Sequence, residues 1–376
     1  MKKCIVISDS FKGTLSSLEI CRIARESIPR FFPDCQVITA PVADGGEGLV
    51  ECFEAAIGAQ PVTVSGTGPL GKPVRATYAR KDKTAIVEMA AAAGLPMMGR
   101  NGDPARTTTY GVGELIRHAI ENGCTEILLG LGGSATNDGG CGCAAALGTG
   151  FYDIHGNRFI PTGATLEQIE TIRVPDGWTL PEDVRITVMC DVDNPLYGPT
   201  GAVHVFGRQK GADAAMITQL DQGLRKLDAV MKEDLGVSVA DVPGTGAGGG
   251  MGAGCMAFLH AELKPGIECV LDTIGFDAML EDAELVITGE GRIDSQSVHG
   301  KVISGIAKRT RLRGIPLIAL VGGIAEGAEA GYDLGVTAMF GIDRSAQDFH
   351  AFASDSAKYY QRTLEDILRL IAAVKG

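Results

Sequence analysis

Five short segments of this 376-residue chain are rich in glycine, in carboxylates or in both, and they extend over nearly its whole length. They occupy residues 8–14, 43–48, 130–140, 190–195 and 288–294. Glycine allows backbone amides to approach a phosphate closely, and Asp and Glu side chains can bind magnesium or accept a proton. Phosphoryl transfer requires both properties. Together the segments predict a kinase that acts on a small molecule.

The first segment, Asp9-Ser10-Phe11-Lys12-Gly13-Thr14, lies between an apolar run typical of a buried strand and a helix that a capping box at Ser16 predicts. Backbone amides, the helix dipole and the Lys12 ammonium could then converge on an anion. The alternative is structural. In that case Asp9 and Ser10 form turn hydrogen bonds and Lys12 lies in solvent.

The second segment, Ala43-Asp44-Gly45-Gly46-Glu47-Gly48, carries two carboxylates three residues apart around a glycine turn. This arrangement of carboxylates suits the binding of magnesium or of a substrate hydroxyl. Alternatively, Asp44 is a helix N-cap and Glu47 completes a capping box. A cap does not need two consecutive glycines, so the pattern favours a functional site.

The segment 130–140 follows the apolar run 127–129 and contains five glycines. Its polar side chains are those of Ser134, Thr136, Asn137 and Asp138. Such a loop can offer bare amides and hydroxyls to a phosphate. Because ordering glycine costs more entropy than ordering alanine, a purely structural loop rarely holds so many. Upstream, Arg106 could bind a carboxylate or phosphate, unless it is simply an exposed loop residue.

Two acids, Asp191 and Asp193, follow the predicted strand 184–189. Either can serve as the base on a substrate hydroxyl or as a metal ligand. Two further glycine-rich segments lie downstream. The run 244–254 predicts a second phosphate cradle or a hinge, with a flexible linker as the alternative. The segment 288–294 places acids and a guanidinium directly after an apolar strand, which is more than a turn needs.

The periodicity of the chain changes along its length. Strand and helix patterns alternate at both ends, whereas residues 61–89 form extended runs separated by turns. We predict a two-domain α/β protein. The first domain is discontinuous and comprises residues 1–76 and 284–376, and an inserted mixed-sheet α/β domain comprises residues 77–283. We expect the active site in the cleft between them, at the carboxyl ends of parallel strands.

Composition argues against several classes of protein. Lys and Arg total 34 against 46 Asp and Glu, which gives a net charge of −12 and argues against a nucleic-acid partner. The ten cysteines and six histidines lack the spacing of a metal site. The cysteines are typical of free thiols in a reducing cytosol. No apolar run is long enough to span a bilayer. We therefore expect a cytoplasmic protein without a membrane partner.

The segments 9–14, 43–48, 130–140, 191–196 and 288–294 together resemble the motifs of the bacterial type-1 glycerate kinases. The motifs occur in the same order and extend over essentially the whole chain. The resemblance implies ATP-dependent phosphorylation of D-glycerate with Mg²⁺, giving 2-phosphoglycerate and ADP in glycerate or glyoxylate catabolism. It also implies two α/β domains, of which the one built from both termini is flavodoxin/Rossmann-like.

Within this resemblance we assign roles as hypotheses from side-chain chemistry. Asp191 is the predicted base on the glycerate hydroxyl, and Lys12 and Asp44 are the other predicted catalytic residues. Asp44 and Asp193 are the predicted magnesium ligands. The predicted substrate-binding residues are Ser10, Phe11, Arg106, Asn137 and Asp138. The predicted nucleotide- and phosphate-binding residues are Gly132, Gly133, Ser134, Thr136, Gly289, Glu290 and Asp294.

Several alternatives stay open on the sequence. The kinase could act on the 3-hydroxyl or on another small hydroxy acid, or the chain could be a non-catalytic module that binds a phosphorylated metabolite. A dinucleotide-dependent dehydrogenase would have Gly-x-Gly-x-x-Gly after the first strand, yet residues 9–14 contain a single glycine. The sequence leaves a monomer and a homodimer equally open.

Overall fold

The computed structural model describes residues 1–11, 13–43, 45, 48–99, 102–175, 177–294, 301–344 and 349–375. Three acidic or basic residues of the predicted motifs, Lys12, Asp44 and Glu47, lie outside this set. All other predicted site residues lie within it, so the structure gives each of them a place in the fold.

The described residues contain sixteen strands. In chain order they are β1 (Lys3–Ser8), β2 (Gln36–Pro41), β3 (Gln60–Thr67), β4 (Pro73–Lys81), β5 (Thr84–Glu88), β6 (Glu126–Gly130), β7 (Gly150–Tyr152), β8 (Arg158–Phe159), β9 (Thr171–Arg173), β10 (Arg185–Met189), β11 (Glu262–Lys264), β12 (Leu285–Gly289), β13 (Arg292–Ile293), β14 (Leu317–Val321), β15 (Gly323–Ile324) and β16 (Ala338–Gly341). They form a five-stranded sheet, a six-stranded sheet and two small sheets of two and three strands.

Helices connect most of the strands. In chain order they are α1 (Ser17–Phe31), α2 (Leu49–Ile57), α3 (Ala90–Ala93), α4 (Tyr110–Glu121), α5 (Cys141–Ala146), α6 (Ala202–Phe206), α7 (Ala214–Leu235), α8 (Ala247–Leu259), α9 (Gly266–Thr273), α10 (Phe276–Met279), α11 (Val302–Leu312), α12 (Ala330–Leu334) and α13 (Phe349–Lys375). Short 3-10 turns lie at Leu95–Met98, Gly163–Gln168 and Arg208–Lys210. Among the described helices, none combines the length and the apolar character that a bilayer crossing requires.

Helix α1 begins where its sequence predicts. The Ser16 hydroxyl accepts a hydrogen bond of 3.2 Å from the Glu19 amide, which satisfies one of the unpaired amides of the first turn. The apolar face of the helix, including Ile20 and Ile28, is buried in the core. The predicted helix start is thus confirmed.

The chain divides into two compact units. Unit 1 comprises Met1–Asp44, Glu51–Ala59 and Pro265–Gly376, and unit 2 comprises Gly45–Val50 and Gln60–Lys264. Each unit has its own buried apolar core. The predicted two-domain α/β architecture, with a first domain built from both ends of the chain, is confirmed.

The unit boundaries differ from residues 76 and 283, which the sequence patterns suggested. Strands β3 and β4 pair with β5, so the hairpin belongs to the sheet of unit 2. At the other end, α9 and α10 belong to unit 1. Arg309 of α11 forms ion pairs of 2.6 Å with Glu268 of α9 and 2.9 Å with Asp277 of α10. The packing of α9 and α10 against α11 is a long-range contact that local periodicity does not record.

Unit 1 contains five parallel strands in the order β2-β1-β12-β14-β16. Strands β1, β12 and β14 are almost continuously apolar and buried, as expected for a parallel sheet covered on both faces. Within the unit this is the flavodoxin-like order, whose ligand-binding switch point lies between the two central strands β1 and β12. The register pairs Ser8 with Gly289 and thereby brings the ends of these strands together.

Unit 2 contains a six-stranded mixed sheet in the order β11-β10-β6-β5-β4-β3. Strands β5, β6, β10 and β11 are parallel, and β3 and β4 are antiparallel to their neighbours. The register pairs Met189 with Gly130. The segments that follow β6 and β10 therefore begin side by side at one edge of the sheet.

The glycine run 244–254 packs against the loop that follows β6. Gly248, Gly249 and Gly250 have positive φ angles of 64°, 74° and 89°, which side chains rarely tolerate. A Cβ atom on Gly249 would lie 1.9 Å from the carbonyl oxygen of Thr136. Gly249 and Gly250 are buried and Gly248 is half-buried, so the run is a close backbone contact and the predicted cradle or hinge does not fit it.

We expect Gly249→Ala to destabilise the protein strongly, because the methyl group adds a clash to an unfavourable φ. The loss should be about 3 kcal/mol or more, measured by urea unfolding. The matched control is Gly236→Ala, since Gly236 has a φ of 67° and open space around its missing Cβ. That variant should lose only about 1 kcal/mol. Equal losses in the two variants would contradict the packing role of Gly249.

Candidate active site

In unit 1, the predicted segments 8–14 and 288–294 meet at the ends of β1 and β12. The Ser8 hydroxyl donates a hydrogen bond of 2.9 Å to the Gly289 carbonyl oxygen, and the Asp9 amide donates one of 3.0 Å to the same oxygen. Asp9 and Glu290 are largely buried, with 7% and 8% exposure. Two carboxylates thus lie at the ends of adjacent strands.

The loop after β1 is fixed to the core of unit 1. Phe11 is 2% exposed, and its ring packs edge-on against the ring of Tyr360 with 5.9 Å between centroids. The Ser356 hydroxyl donates to the Thr14 carbonyl oxygen at 3.1 Å. The prediction that Phe11 binds substrate does not fit this burial, because the ring is an anchor of the loop. Ser10 is half-buried and stays a candidate.

Beyond β12 the chain continues beside the end of β14. The Gly322 amide donates to the Glu290 carbonyl oxygen at 3.1 Å, and β13 pairs with β15. A side chain at Gly289 would meet the Leu320 carbonyl oxygen at 2.0 Å, so strand packing itself requires this glycine. Asp294 is half-buried and lies just beyond this strand pair. The backbone around the Glu290 carboxylate is therefore well supported.

In unit 2, Gly45 and the segments that follow β6 and β10 lie at the same end of the sheet. Gly45 belongs to the second segment, and its carbonyl oxygen would lie 2.5 Å from a Cβ on Gly130. A Cβ on Gly45 would in turn lie 3.2 Å from the Cβ of Met189. The carbonyl oxygen of Gly45 also accepts a bond of 3.4 Å from the Gly132 amide. Gly45 of the second segment thus lies beside the start of the segments that follow β6 and β10.

Asp138 is completely buried, and both of its carboxylate oxygens are occupied. One oxygen accepts from the Thr109 amide at 2.7 Å, the Thr109 hydroxyl at 2.9 Å and the Gly142 amide at 3.2 Å. The other accepts from the Gly140 amide at 3.2 Å. Burial raises the pKa of Asp138, and the four hydrogen bonds oppose that rise. Direct contact with substrate, as predicted for Asp138, does not fit these bonds; the carboxylate shapes the loop.

Thr136 and Asn137 carry buried polar atoms that lack a protein partner among the described residues. The atoms are the Thr136 hydroxyl oxygen and the Asn137 side-chain nitrogen, on residues that are 0% and 1% exposed. Buried polar groups without a partner are rare, and each costs free energy unless water or a ligand satisfies it. These two groups are therefore the strongest ligand-binding candidates of the loop.

The remaining loop candidates differ in exposure. Gly133 is exposed and Gly132 half-buried, so their backbone is accessible to a ligand. Ser134 is buried and lies in an isolated antiparallel bridge with Gly94. Arg106 is exposed and follows the buried Ala105. Its exposure leaves the guanidinium accessible, and its role in binding an anion stays a prediction.

Asp191 and Asp193 are both exposed just beyond β10, with the half-buried Val192 between them. The segment is anchored beyond these acids. The Gly198 amide donates to the Asp221 carboxylate at 2.7 Å, and Asp221 of α7 is 6% exposed. A firmly held segment with two accessible carboxylates fits a base or a magnesium ligand.

Sequence reasoning missed two buried residues at this edge. Thr109 links the Asp138 carboxylate to α5, because its hydroxyl oxygen also accepts from the Cys143 amide at 2.8 Å. Lys210 is 3% exposed and donates to the Thr136 carbonyl oxygen at 2.7 Å. Neither residue belongs to a recognisable motif. Lys210 does lie within the glycine-flanked stretch Gly207-Arg208-Gln209-Lys210-Gly211, and this is the one local signal.

We expect Asp138→Asn to destabilise unit 2, because an amide nitrogen would face backbone donors that need an acceptor. The loss should be on the order of 3 kcal/mol in urea unfolding. Asp153→Asn is the matched control. Asp153 is half-buried, and its carboxylate accepts solvent-exposed hydrogen bonds from nearby amides, those of His155 and Asn157, both at 2.9 Å. The control should change stability little, and a similar loss in both variants would refute the role of Asp138.

Comparison with known proteins agrees with the sequence motifs. The sequence profile of the glycerate kinase family matches residues 4–372. Glycerate kinase from Bacillus subtilis is 42% identical over 99% of this chain and 98% of its own length. Glycerate 2-kinase from Escherichia coli is 45% identical over 91% of this chain and 89% of its own length.

A solved structure is similar over the whole chain. The crystal structure of a candidate glycerate kinase 2 from Salmonella typhimurium LT2 has a TM-score of 0.89 and 39% identity, and the match covers 100% of this chain and 99% of that one. The predicted family and the predicted enzyme class, a phosphotransferase, are confirmed by these similarities. This chain belongs to the glycerate kinase family.

Proposed function

We propose that this chain transfers the γ-phosphoryl group of ATP to the 2-hydroxyl of D-glycerate, giving 2-phosphoglycerate and ADP in glycerate or glyoxylate catabolism. The observation that carries the proposal is the full-length similarity to kinases of glycerate, one of which is named a 2-kinase. The collection of acids and glycines at the strand ends of each unit supports the same chemistry.

The loop of unit 2 provides the proposed site for an anionic group. Thr136 and Asn137 offer buried donors, and a carboxylate or phosphoryl oxygen is an acceptor that satisfies such donors. The exposed backbone of Gly132 and Gly133 allows close approach of a phosphate. We assign the exposed Arg106 to the glycerate carboxylate, since a guanidinium binds a carboxylate in a bidentate manner.

Asp191 is the proposed general base. Its exposed carboxylate can accept the proton of the glycerate hydroxyl as the oxygen attacks the γ-phosphorus. Asp193 is the proposed magnesium ligand, together with Asp44. Magnesium usually keeps several waters and takes one or two carboxylates with the phosphates, and an exposed aspartate fits that donor set. When bound, the ion neutralises phosphate charge.

Unit 1 supplies the other proposed ligand groups at its switch point. Open parallel sheets bind ligands outside the carboxyl ends of their strands, where the strand order reverses. Ser10, Glu290 and Asp294 lie just beyond β1 and β12. We assign Glu290, Asp294 and the backbone of Gly289 to the nucleotide, and Ser10 to the substrate. Lys12 is assigned to the charge on the transferring phosphoryl group.

The product can be identified directly. Incubation with D-glycerate, ATP and Mg²⁺, followed by phosphorus NMR, should show 2-phosphoglycerate and ADP. A 3-phosphoglycerate signal would refute the proposed orientation of the substrate. Absence of any phosphoglycerate, with ATP unchanged, would refute glycerate as the substrate and favour another hydroxy acid or a binding role.

The two neighbouring acids should behave differently when each is neutralised. Asp191→Asn should lower kcat by about 10²–10⁴-fold, because an amide cannot accept the hydroxyl proton. Asp193→Asn should instead raise the Mg²⁺ concentration needed for half-maximal rate. Melting curves of both variants should match the wild type, since both side chains are exposed. A near-normal kcat for Asp191→Asn would remove that residue from the role of base.

A further inference from the structure

Lys210 is a buried lysine that the phosphoryl-transfer scheme above does not use. It ends the 3-10 turn Arg208–Lys210, and its side chain enters the interior of unit 2. The ammonium nitrogen donates to the carbonyl oxygen of Thr136 at 2.7 Å, across 74 residues of sequence. Lysine is almost never fully buried unless its charge is compensated. The charge of Lys210, which lies on a different turn but contacts this loop, therefore needs compensation inside unit 2.

The main chain around Lys210 leaves its position little freedom. A Cβ on Gly102 would lie 2.2 Å from the Lys210 carbonyl oxygen, and a Cβ on Gly211 would lie 2.1 Å from the Gly102 carbonyl oxygen. Gly211 also has a φ of 101°. Glycines at both positions allow two backbones to touch. The turn cannot move outward without losing this contact, so the amine is held inside the unit.

Two opposing effects set the charge of the amine. Burial lowers the pKa of Lys210 to about 7, because an ammonium loses hydration in the interior. The negative charge of Asp138 opposes that change. On the turn itself the neighbouring Arg208 is exposed to water. The amine therefore gains and loses its proton in the neutral pH range.

We propose that Lys210 is a positioning residue for phosphoryl transfer: its ammonium binds the Thr136 carbonyl and holds the loop so that Thr136 and Asn137 present their donors to an anionic group of the ligand. The inference rests on the proposed role of the loop in binding. Both unsatisfied side-chain groups can donate hydrogen bonds, and the nearby cation adds positive potential. A carboxylate or a phosphoryl group is thus the class of ligand that the loop accepts.

Lys210 gives ligand binding and stability opposite pH dependences. A charged donor forms a stronger hydrogen bond than a neutral amine. The hydrogen bond from Lys210 to the Thr136 carbonyl oxygen therefore weakens as pH rises through about 7. Stability changes the other way. Because the pKa is lowered in the folded state, the unfolded chain binds more protons between pH 7 and its ordinary value, and this contribution to stability rises with pH there.

The test compares Lys210→Met with wild type between pH 6.5 and 8.5. Methionine keeps the length of the side chain and removes both charge and hydrogen bond. We expect KM for glycerate or for ATP to rise about tenfold or more at pH 6.5, with a smaller change in kcat. The wild-type KM should rise with pH, and this trend should vanish in the variant. The free energy of unfolding of the wild type, measured relative to that of the variant, should increase with pH. Unchanged KM values for both substrates would overturn the proposal.

Two controls separate this role from general damage. Lys226→Met removes a half-buried lysine of α7 whose partner is Glu170 at 3.2 Å, and it should leave KM and its pH profile unchanged. A KM change in this control equal to that of Lys210→Met would also overturn the proposal. Lys210→Gln keeps a neutral donor and should lie between wild type and Lys210→Met.

A measurement on the wild-type protein covers the case in which these variants do not fold. Hydrogen exchange of peptides covering residues 130–140, corrected for intrinsic rates, should show less protection at pH 8.5 than at pH 6.5. Equal protection would overturn the positioning role. This readout needs no turnover. If the wild type makes no phosphoglycerate, the proposed function fails while the effect of Lys210 on the loop is still measured.

Discussion

The Asp138 carboxylate accepts four hydrogen bonds from the residue that precedes α4, from its own loop and from the first turn of α5. Each donor is a backbone amide or a hydroxyl that would otherwise be buried without a partner. Thr109 extends the network by accepting from Cys143, and a Cβ on Gly113 would lie 2.4 Å from the Cys143 carbonyl oxygen. Gly113 allows α4 and α5 to pack closely, and the buried acid accepts hydrogen bonds from the start of both helices.

The glycine-rich loop takes its shape from interactions on several sides. Asp138 fixes its end, the glycine turn of α8 touches the Thr136 carbonyl, and Lys210 donates to the same carbonyl. A single main-chain oxygen is therefore enclosed by backbone and a cation. Two buried side-chain atoms of this loop lack a protein partner among the described residues. They are the Thr136 hydroxyl oxygen and the Asn137 side-chain nitrogen. Rigid support around a few unsatisfied donors is what preorganised binding requires.

Much of the site was predictable because strand ends and glycine motifs are local features. The segments after β1, β6, β10 and β12 all lie at carboxyl ends of parallel strands, as the alternation of apolar runs and polar turns indicated. Phe11 was misassigned because a motif does not show which of its side chains points into a core. Asp138 was misassigned for a similar reason. The sequence does not distinguish a carboxylate that binds a ligand from one that accepts hydrogen bonds from the amides of its own loop.

The sequence by itself determined the family, the α/β class, the start of α1 at its serine cap and the positions of the glycine and acid motifs along the chain. These follow from local propensity, periodicity and motif spacing. Only the tertiary structure decided the packing of α9 and α10 against α11, the enclosure of the Thr136 carbonyl and the burial of Lys210. Each depends on groups that are far apart in sequence and that strand register and close backbone packing bring together. No local sequence pattern specifies such contacts.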